Sequence, residues 1–280
     1  MIIDVHAHTY PARIVKKVVQ RMERVTGKPI DVDGTPRGLV ASMAESGVDY
    51  SIFLPVATTA SQVPKLNEQA AEVMETYGAD GLLAFGAIHP DTPDLAQTMR
   101  EIRAAGLLGV KIHPDYQSTY FDDIRYLRIM DAATSEGLLV LAHAGMDEVY
   151  PEEVHCDVPR ILRVIEKVGG GRLILAHMGG WQMWDQVKKY LCGAPVYFDT
   201  AFSLTGTVNV ENTGNFGSML DDERFVELVR SHGVEKILFG SDTPWSTQQE
   251  NVDWICGCSL EEEEKQMILG ENAEKLLFFS

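Results

Sequence analysis

A chain of 280 residues, 45% of them apolar, is long enough for one large α/β domain and too apolar to be disordered. Its formal charge of −17 argues against a nucleic-acid backbone or an anionic membrane surface as a main partner. No charged-then-apolar leader opens the chain and no apolar run approaches a bilayer span; four cysteines make no disulfide framework, so reduced thiols and a cytoplasmic setting are expected.

Taken in chain order, short apolar runs predict strands at 2–5, 50–54, 82–87, 109–112, 138–142, 173–176, 196–199 and 237–239. Several are almost continuously hydrophobic ("LLVLA", "LILA", "ILFG"), as strands covered on both faces are. Helical patterns fill the intervals. Thr35-Pro36 predicts an N-cap followed by proline at the first helical position. In "PRILRVIEKVG" Ile161, Leu162, Ile165 and Val168 keep one helical face, and in "DERFVELVRSHG" Phe225, Leu228, Val229 and His232 do so, with Gly233 as the stop. Ser259 with Glu262 predicts a capping box, which makes "SLEEEEK" a solvated helix start and not a cation site. Eight β–α repeats without a compositional break predict one domain over residues 1–280, a distorted (β/α)8 TIM barrel with long βα loops at its C-terminal face. The alternative, a doubly wound open sheet, lacks a glycine-rich loop after its first strand.

Chemistry in such a barrel belongs where strands end. His6 and His8 follow the first predicted strand, and His89, His113, His143 and His177 follow the third to the sixth. Asp199 ends the seventh and Asp242 follows the eighth, so six of the eight histidines gather at one rim. Strand alternation puts Asp4, His6 and His8 on one face, which lets the two imidazoles reach one ion with Asp4 orienting them from behind. Neutral imidazoles and a carboxylate suit one divalent metal, zinc first, with manganese, iron or cobalt as substitutes. Cys256 and Cys258 have no further partners for a metal pair.

The segments "DVHAH", "GVKIHP", "VLAHAG", "LILAHMGG", "VYFDT", "ILFGSDTPW" and "ILGENAEKLL" in this order resemble the amidohydrolase superfamily, and within it the amidohydrolase-2 branch related to aminocarboxymuconate-semialdehyde decarboxylase. The resemblance runs over nearly the whole chain. It implies a barrel holding one divalent metal through His6, His8, His143 and Asp242, with His177 beside the substrate as acid, base or electrostatic stabiliser. It also raises a binuclear alternative in which His177 or a carbamylated Lys111 serves a second metal; an ion pair of Lys111 with Asp4 or Asp199 is preferred. The activity implied first is that of a metal-dependent hydrolase whose activated water attacks the carbonyl of an ester, lactone or amide, with Asp242 taking and returning the proton. The alternative is a carboxy-lyase (decarboxylase) acting on an unsaturated carboxylic acid; a non-catalytic binding barrel is the third reading, and no ligand is missing to favour it.

A small molecule is the expected partner, with no nucleic acid and no membrane, and a homodimer is the default assembly on base rates. Residues 145–157 carry five carboxylates, expected to be solvated, with Tyr150 able to reach inward. Residues 203–220 suggest either a lid or an ordinary loop. His113, Trp181 and Trp245 are further candidates for the pocket wall, and Arg13, Arg37 and Lys65 are candidates for a substrate carboxylate. His155 and His232 receive no role.

Overall fold

In a computed structural model of the protein, residues 1–26, 30, 32–205 and 219–279 are described; of the suggested lid, residues 206–218 lie outside them. The strands are parallel throughout. β1 (Ile3–Ala7), β2 (Tyr50–Phe53) and β3 (Leu82–Ala84) pair in that order, and β4 (Gly86–Ala87), β5 (Gly109–Ile112), β6 (Leu139–Ala142), β7 (Leu173–Leu175), β8 (Tyr197–Asp199) and β9 (Ile237–Leu238) continue it.

The helices in chain order are α1 (Ala12–Thr26), α2 (Pro36–Ser46), α3 (Val63–Tyr77), α4 (Leu95–Ala104), α5 (Ile124–Ser135), α6 (Val158–Val168), the short α7 (Trp184–Gln186), α8 (Asp222–His232), α9 (Gln248–Gly257), α10 (Glu262–Gln266) and α11 (Asn272–Phe278).

The predicted strand over 82–87 is split by Phe85. Its ring packs so closely on Gly109 that a Cβ there would come within 2.8 Å of it. The ladder still carries across the break, because Phe85 N donates to Phe53 O and Leu108 N donates to Ala84 O, both at 3.1 Å. The other seam closes as well. Val5 N donates to Phe239 O (2.9 Å), Asp242 N to His6 O (2.8 Å) and His8 N to Thr243 O (2.6 Å). A barrel results, and its closing bonds run through the residues that carry the polar side chains of the rim.

Two apolar layers hold it together. Ile3, Val5, Ile52, Leu54, Leu141 and Ile174 form the interior, with Ala273 and Leu276 of α11 packed into the same cluster. Val110, Ile112, Val140 and Phe198 pack outward with Met99, Ile102, Ile129 and Ile161 of the helices. Fully burying side chains of this size stabilises by about 1.5–3 kcal/mol each. Thr35 caps α2 as expected, its Oγ1 accepting from Gly38 N at 3.1 Å. Ser259 does not cap a helix. Asp222 engages its backbone N–H and its hydroxyl, and the capping box of α10 is made by Glu261 and Glu264 instead.

His232 of α8 is a structural histidine. Its ring stacks on Phe198 at 3.7 Å, Nε2 donates to Val196 O and Nδ1 accepts from Gly193 N. Burial pushes its pKa down to about 4. A depressed histidine pKa means that the unfolded chain binds the proton first, so this stability is complete above about pH 6.5 and is lost as pH falls toward 4. Between pH 7.5 and 5.0 the loss should be about 2 kcal/mol. Urea unfolding of wild type and His232→Gln at both values should show a smaller pH effect in the variant; equal losses would refute the assignment.

Candidate metal centre

The rim residues do not follow strict alternation. The β1–β2 register shifts between Asp4 and Ala7. Asp4 supports His6 through the backbone and not through the ring: its Oδ1 accepts from His6 N at 3.1 Å. Its carboxylate accepts from Ser241 Oγ (2.6 Å), Ser241 N and Gln248 Nε2 (2.8 Å), and so ties the segment before Asp242 to α9. The carboxylate that orients His6 is Asp199, whose Oδ2 lies 2.8 Å from His6 Nδ1. Its Oδ1 accepts from His177 N (2.9 Å) and Ala201 N (3.1 Å). The sequence places Asp199 at the rim without a role at the site; the one available signal is its position at the end of "VYFDT".

Each imidazole at the centre has one nitrogen assigned by its neighbour. His8 Nδ1 faces Leu54 O (2.9 Å), His143 Nε2 faces Met146 O (3.0 Å) and His177 Nδ1 faces Ala201 O (2.8 Å). Carbonyl and carboxylate oxygens only accept, so these nitrogens and His6 Nδ1 carry the proton. The opposite nitrogens then present lone pairs. His6 Nε2 and His8 Nε2 lie 3.5 and 3.2 Å from Asp242 Oδ1, and His177 Nε2 lies 3.0 Å from His143 Nδ1. Asp242 Oδ1 is buried without a hydrogen-bond donor. At His8 Nε2, Asp242 Oδ1, His143 Nδ1 and His177 Nε2 lone pairs converge without a donor between them, which calls for a cation.

The donor atoms of His6, His8 and Asp242 lie within 4.8 Å of one another. His143, expected beside them, falls in a second group with His113 and Asp147. The His177 ring lies between the two groups, 5.3 Å from His6 and 4.8 Å from His143. Burial drives the pKa values of His6, His113 and His143 well down, which keeps them in the neutral form that binds metals. Burial alone would raise the Asp242 carboxyl, but His6, His8 and His177 outweigh it and hold it far below the usual range.

Lys111 corrects another expectation. Its ammonium meets neither Asp4 nor Asp199; Nζ sits 3.1 Å from His6 Nε2 and donates to that lone pair. Burial lowers its pKa to about 8, against the opposing charges of Asp199 and Asp242.

A cavity of about 1120 Å³ opens over this centre. His113, Tyr150, Trp181 and Trp245 all line it. His113 is stacked between Tyr116 (3.8 Å) and His143 (4.1 Å). Arg13 and Lys65 line the cavity too, whereas Arg37 and His89 do not. His89 caps a turn, accepting from Asp91 N. The acidic loop is not uniformly solvated: Asp147 is buried and faces His113 Nε2 at 3.5 Å, and Glu148 is half-buried. Asp115 gives no signal in the sequence. It is fully buried, holds His155 through Oδ1, and leaves Oδ2 without a donor 3.9 Å from His143 Nε2. Non-glycine residues with positive φ mark the same rim: His177 (60°), Met178 (54°) and Asp242 (63°). Strain of this kind gathers at functional sites.

No helix among the described residues is long and apolar enough to cross a membrane. No curated protein matches the sequence. Solved structures do match in fold. 2,6-Dihydroxybenzoate decarboxylase from Rhizobium superposes with a TM-score of 0.70 at 16% identity, covering 99% of this chain and 98% of that one. For 5-carboxyvanillate decarboxylase LigW from Sphingomonas paucimobilis the values are 0.68, 17%, 99% and 98%. A dihydroxybenzoic acid decarboxylase from Polaromonas sp. JS666, with bound manganese and the inhibitor 2-nitroresorcinol, gives 0.70, 14%, 99% and 96%. The family model described as amidohydrolase matches residues 3–279, and with that near-complete match the chain belongs to the amidohydrolase-2 family of metal-dependent enzymes.

Proposed function

We propose that this enzyme is a carboxy-lyase that releases carbon dioxide from a small, planar, unsaturated or aromatic acid, using one divalent metal. The observation that carries this reading is that the similar solved structures with a stated reaction, among them the three above, share the fold end to end and are named as decarboxylases. The hydrolytic reading preferred from the sequence rests on how widespread hydrolysis is in the superfamily, and no residue in the site requires it.

His6, His8 and Asp242 would hold the ion, with the lone pairs of His143 and His177 next to it. The bound ion would supply a Lewis acid that orients substrate oxygens and spreads negative charge. Breaking the bond to the carboxyl carbon leaves an electron pair on the neighbouring carbon, and a proton must be delivered there. Asp242 and His177 flank the centre and are the groups that hold and move that proton. Trp181 and Phe202 line the cavity with their rings 6.1 Å apart, an apolar wall for a flat substrate. Withdrawing water from the carboxylate there favours a transition state in which its charge is dispersed.

The test is a product assay with metal-loaded protein on hydroxybenzoates, unsaturated acids, lactones, esters and amides. Carbon dioxide should appear in step with loss of the acid. Hydrolysis of a lactone, ester or amide with no carbon dioxide from any acid would refute the proposal. Zinc is the first expectation and manganese the rival, since imidazole and carboxylate accept both. Exhaustive chelation should abolish turnover and lower Tm, and adding back each ion singly should restore both. Turnover that survives complete removal of metal would refute the metal requirement.

A further inference from the structure

In a chain of net charge −17, α1 carries five basic residues and one acidic residue. All five are exposed, but not all face the same way. Arg13, Lys17 and Arg21 follow at i, i+4 and i+8, and these three, with Arg24 beyond them, line the cavity over the metal centre, whereas Lys16 does not. Successive members of such a stripe rise by about 6 Å along the helix. Among the described residues none of the three has a carboxylate partner. Lys65 of α3, which pairs with Glu68 at 2.6 Å, lines the cavity from another element, near enough to Arg13 for their charges to oppose each other. Arg21 is near enough to Tyr116 to act on its hydroxyl, and Tyr116 stacks on His113 beside His143. Like charges brought together at a cavity mouth repel, and an anion bound among them relieves that repulsion.

We propose that the substrate carries a second anionic group, remote from the reacting carboxyl, held by Arg13, Lys17 and Arg21 with Lys65. This rests on the carboxy-lyase reading only in assigning the first carboxyl to the metal end. The stripe selects among acids and fixes which end of the molecule faces His6, His8 and Asp242. It also attracts anions toward the mouth of a protein whose overall charge repels them.

The experiment is equilibrium binding, by quenching of the cavity tryptophans Trp181 and Trp245 or by calorimetry, to metal-loaded protein. Terephthalate is compared with benzoate, and the longer biphenyl dicarboxylate with its monoacid. In at least one pair the diacid should bind about tenfold more tightly at low salt. Raising ionic strength from about 0.02 to about 0.5 M should remove most of that preference in wild-type protein. Combining Arg13→Gln, Lys17→Gln and Arg21→Gln should abolish it, and Arg13→Lys with Arg21→Lys should retain most of it. Equal affinities within both pairs would overturn the proposal, as would a preference that survives the triple substitution. Binding to phosphatidylserine vesicles without any diacid preference would overturn it and assign the stripe to a membrane surface. Carbon dioxide release is scored separately: a diacid preference with no release from any acid refutes the carboxy-lyase reading alone, and release without a diacid preference refutes this inference alone.

Discussion

Asp242→Asn is expected to lower turnover by about three orders of magnitude and to reduce the metal retained through purification, with the fold intact. The fold should survive because little of it depends on the carboxylate. The turn at Asp242 is made by backbone bonds, Asp242 N to His6 O (2.8 Å) and Trp245 N to Asp242 O (2.9 Å). Asparagine accepts the left-handed φ of 63° as readily as aspartate. Oδ1 receives no hydrogen bond, so none is lost. An amide nitrogen at that position would donate to the lone pair of His8 Nε2, now 3.2 Å from Oδ1. The metal-free variant should therefore match metal-free wild type in stability or exceed it by about 1 kcal/mol. Turnover, metal content and Tm after chelation measure the three parts. Full activity at full metal content would end the assignment of Asp242 as ligand and proton carrier.

Asp199 should behave in the opposite way, with a large cost to folding. It is fully buried and accepts from His6 Nδ1, His177 N and Ala201 N. Asp199→Ala strands all three donors and should destabilise by about 3–5 kcal/mol. Asp199→Asn separates packing from chemistry. Its carbonyl oxygen keeps the two backbone donors, and its NH2 faces His6 Nδ1. That nitrogen must then accept, which moves the His6 proton to Nε2 and removes the lone pair aimed at Asp242. The asparagine variant should fold with a cost of about 1–2 kcal/mol and bind metal about 10–100-fold more weakly. Denaturant unfolding of the metal-free proteins and a chelator competition read the two effects apart. Unchanged metal affinity in Asp199→Asn would show that the Asp199–His6 contact does not set the tautomer.

Both predictions concern the same property of the site, the direction in which each heteroatom points, and the sequence reveals this unevenly. Runs such as "LLVLA" and "LILA" announce strands covered on both faces, and β6 and β7 lie on them. Capping chemistry is equally local, so Thr35 is legible. Ser259 is not, because Asp222, far away in the chain, takes its hydroxyl. Asp4 illustrates the limit of alternation: beside the register shift in β1 its carboxylate holds the His6 backbone N–H, Ser241 and Gln248, and leaves the His6 ring to Asp199. Lys111 shows the limit of pairing arguments, since its buried neighbour is an imidazole lone pair and not a carboxylate.

The barrel, the gathering of histidines at its rim and the family are legible in the chain alone, because strand periodicity and strand-end motifs are properties of contiguous residues. Contacts between distant segments set which nitrogen of each histidine carries a proton, put His143 across His177 from the His6–His8–Asp242 group, and bring the basic stripe of α1 to the cavity. Those outcomes hang on the carbonyls of Leu54, Met146 and Ala201 and on a helix laid over the mouth. Every residue has a backbone carbonyl, so no residue type marks the one that an imidazole will meet.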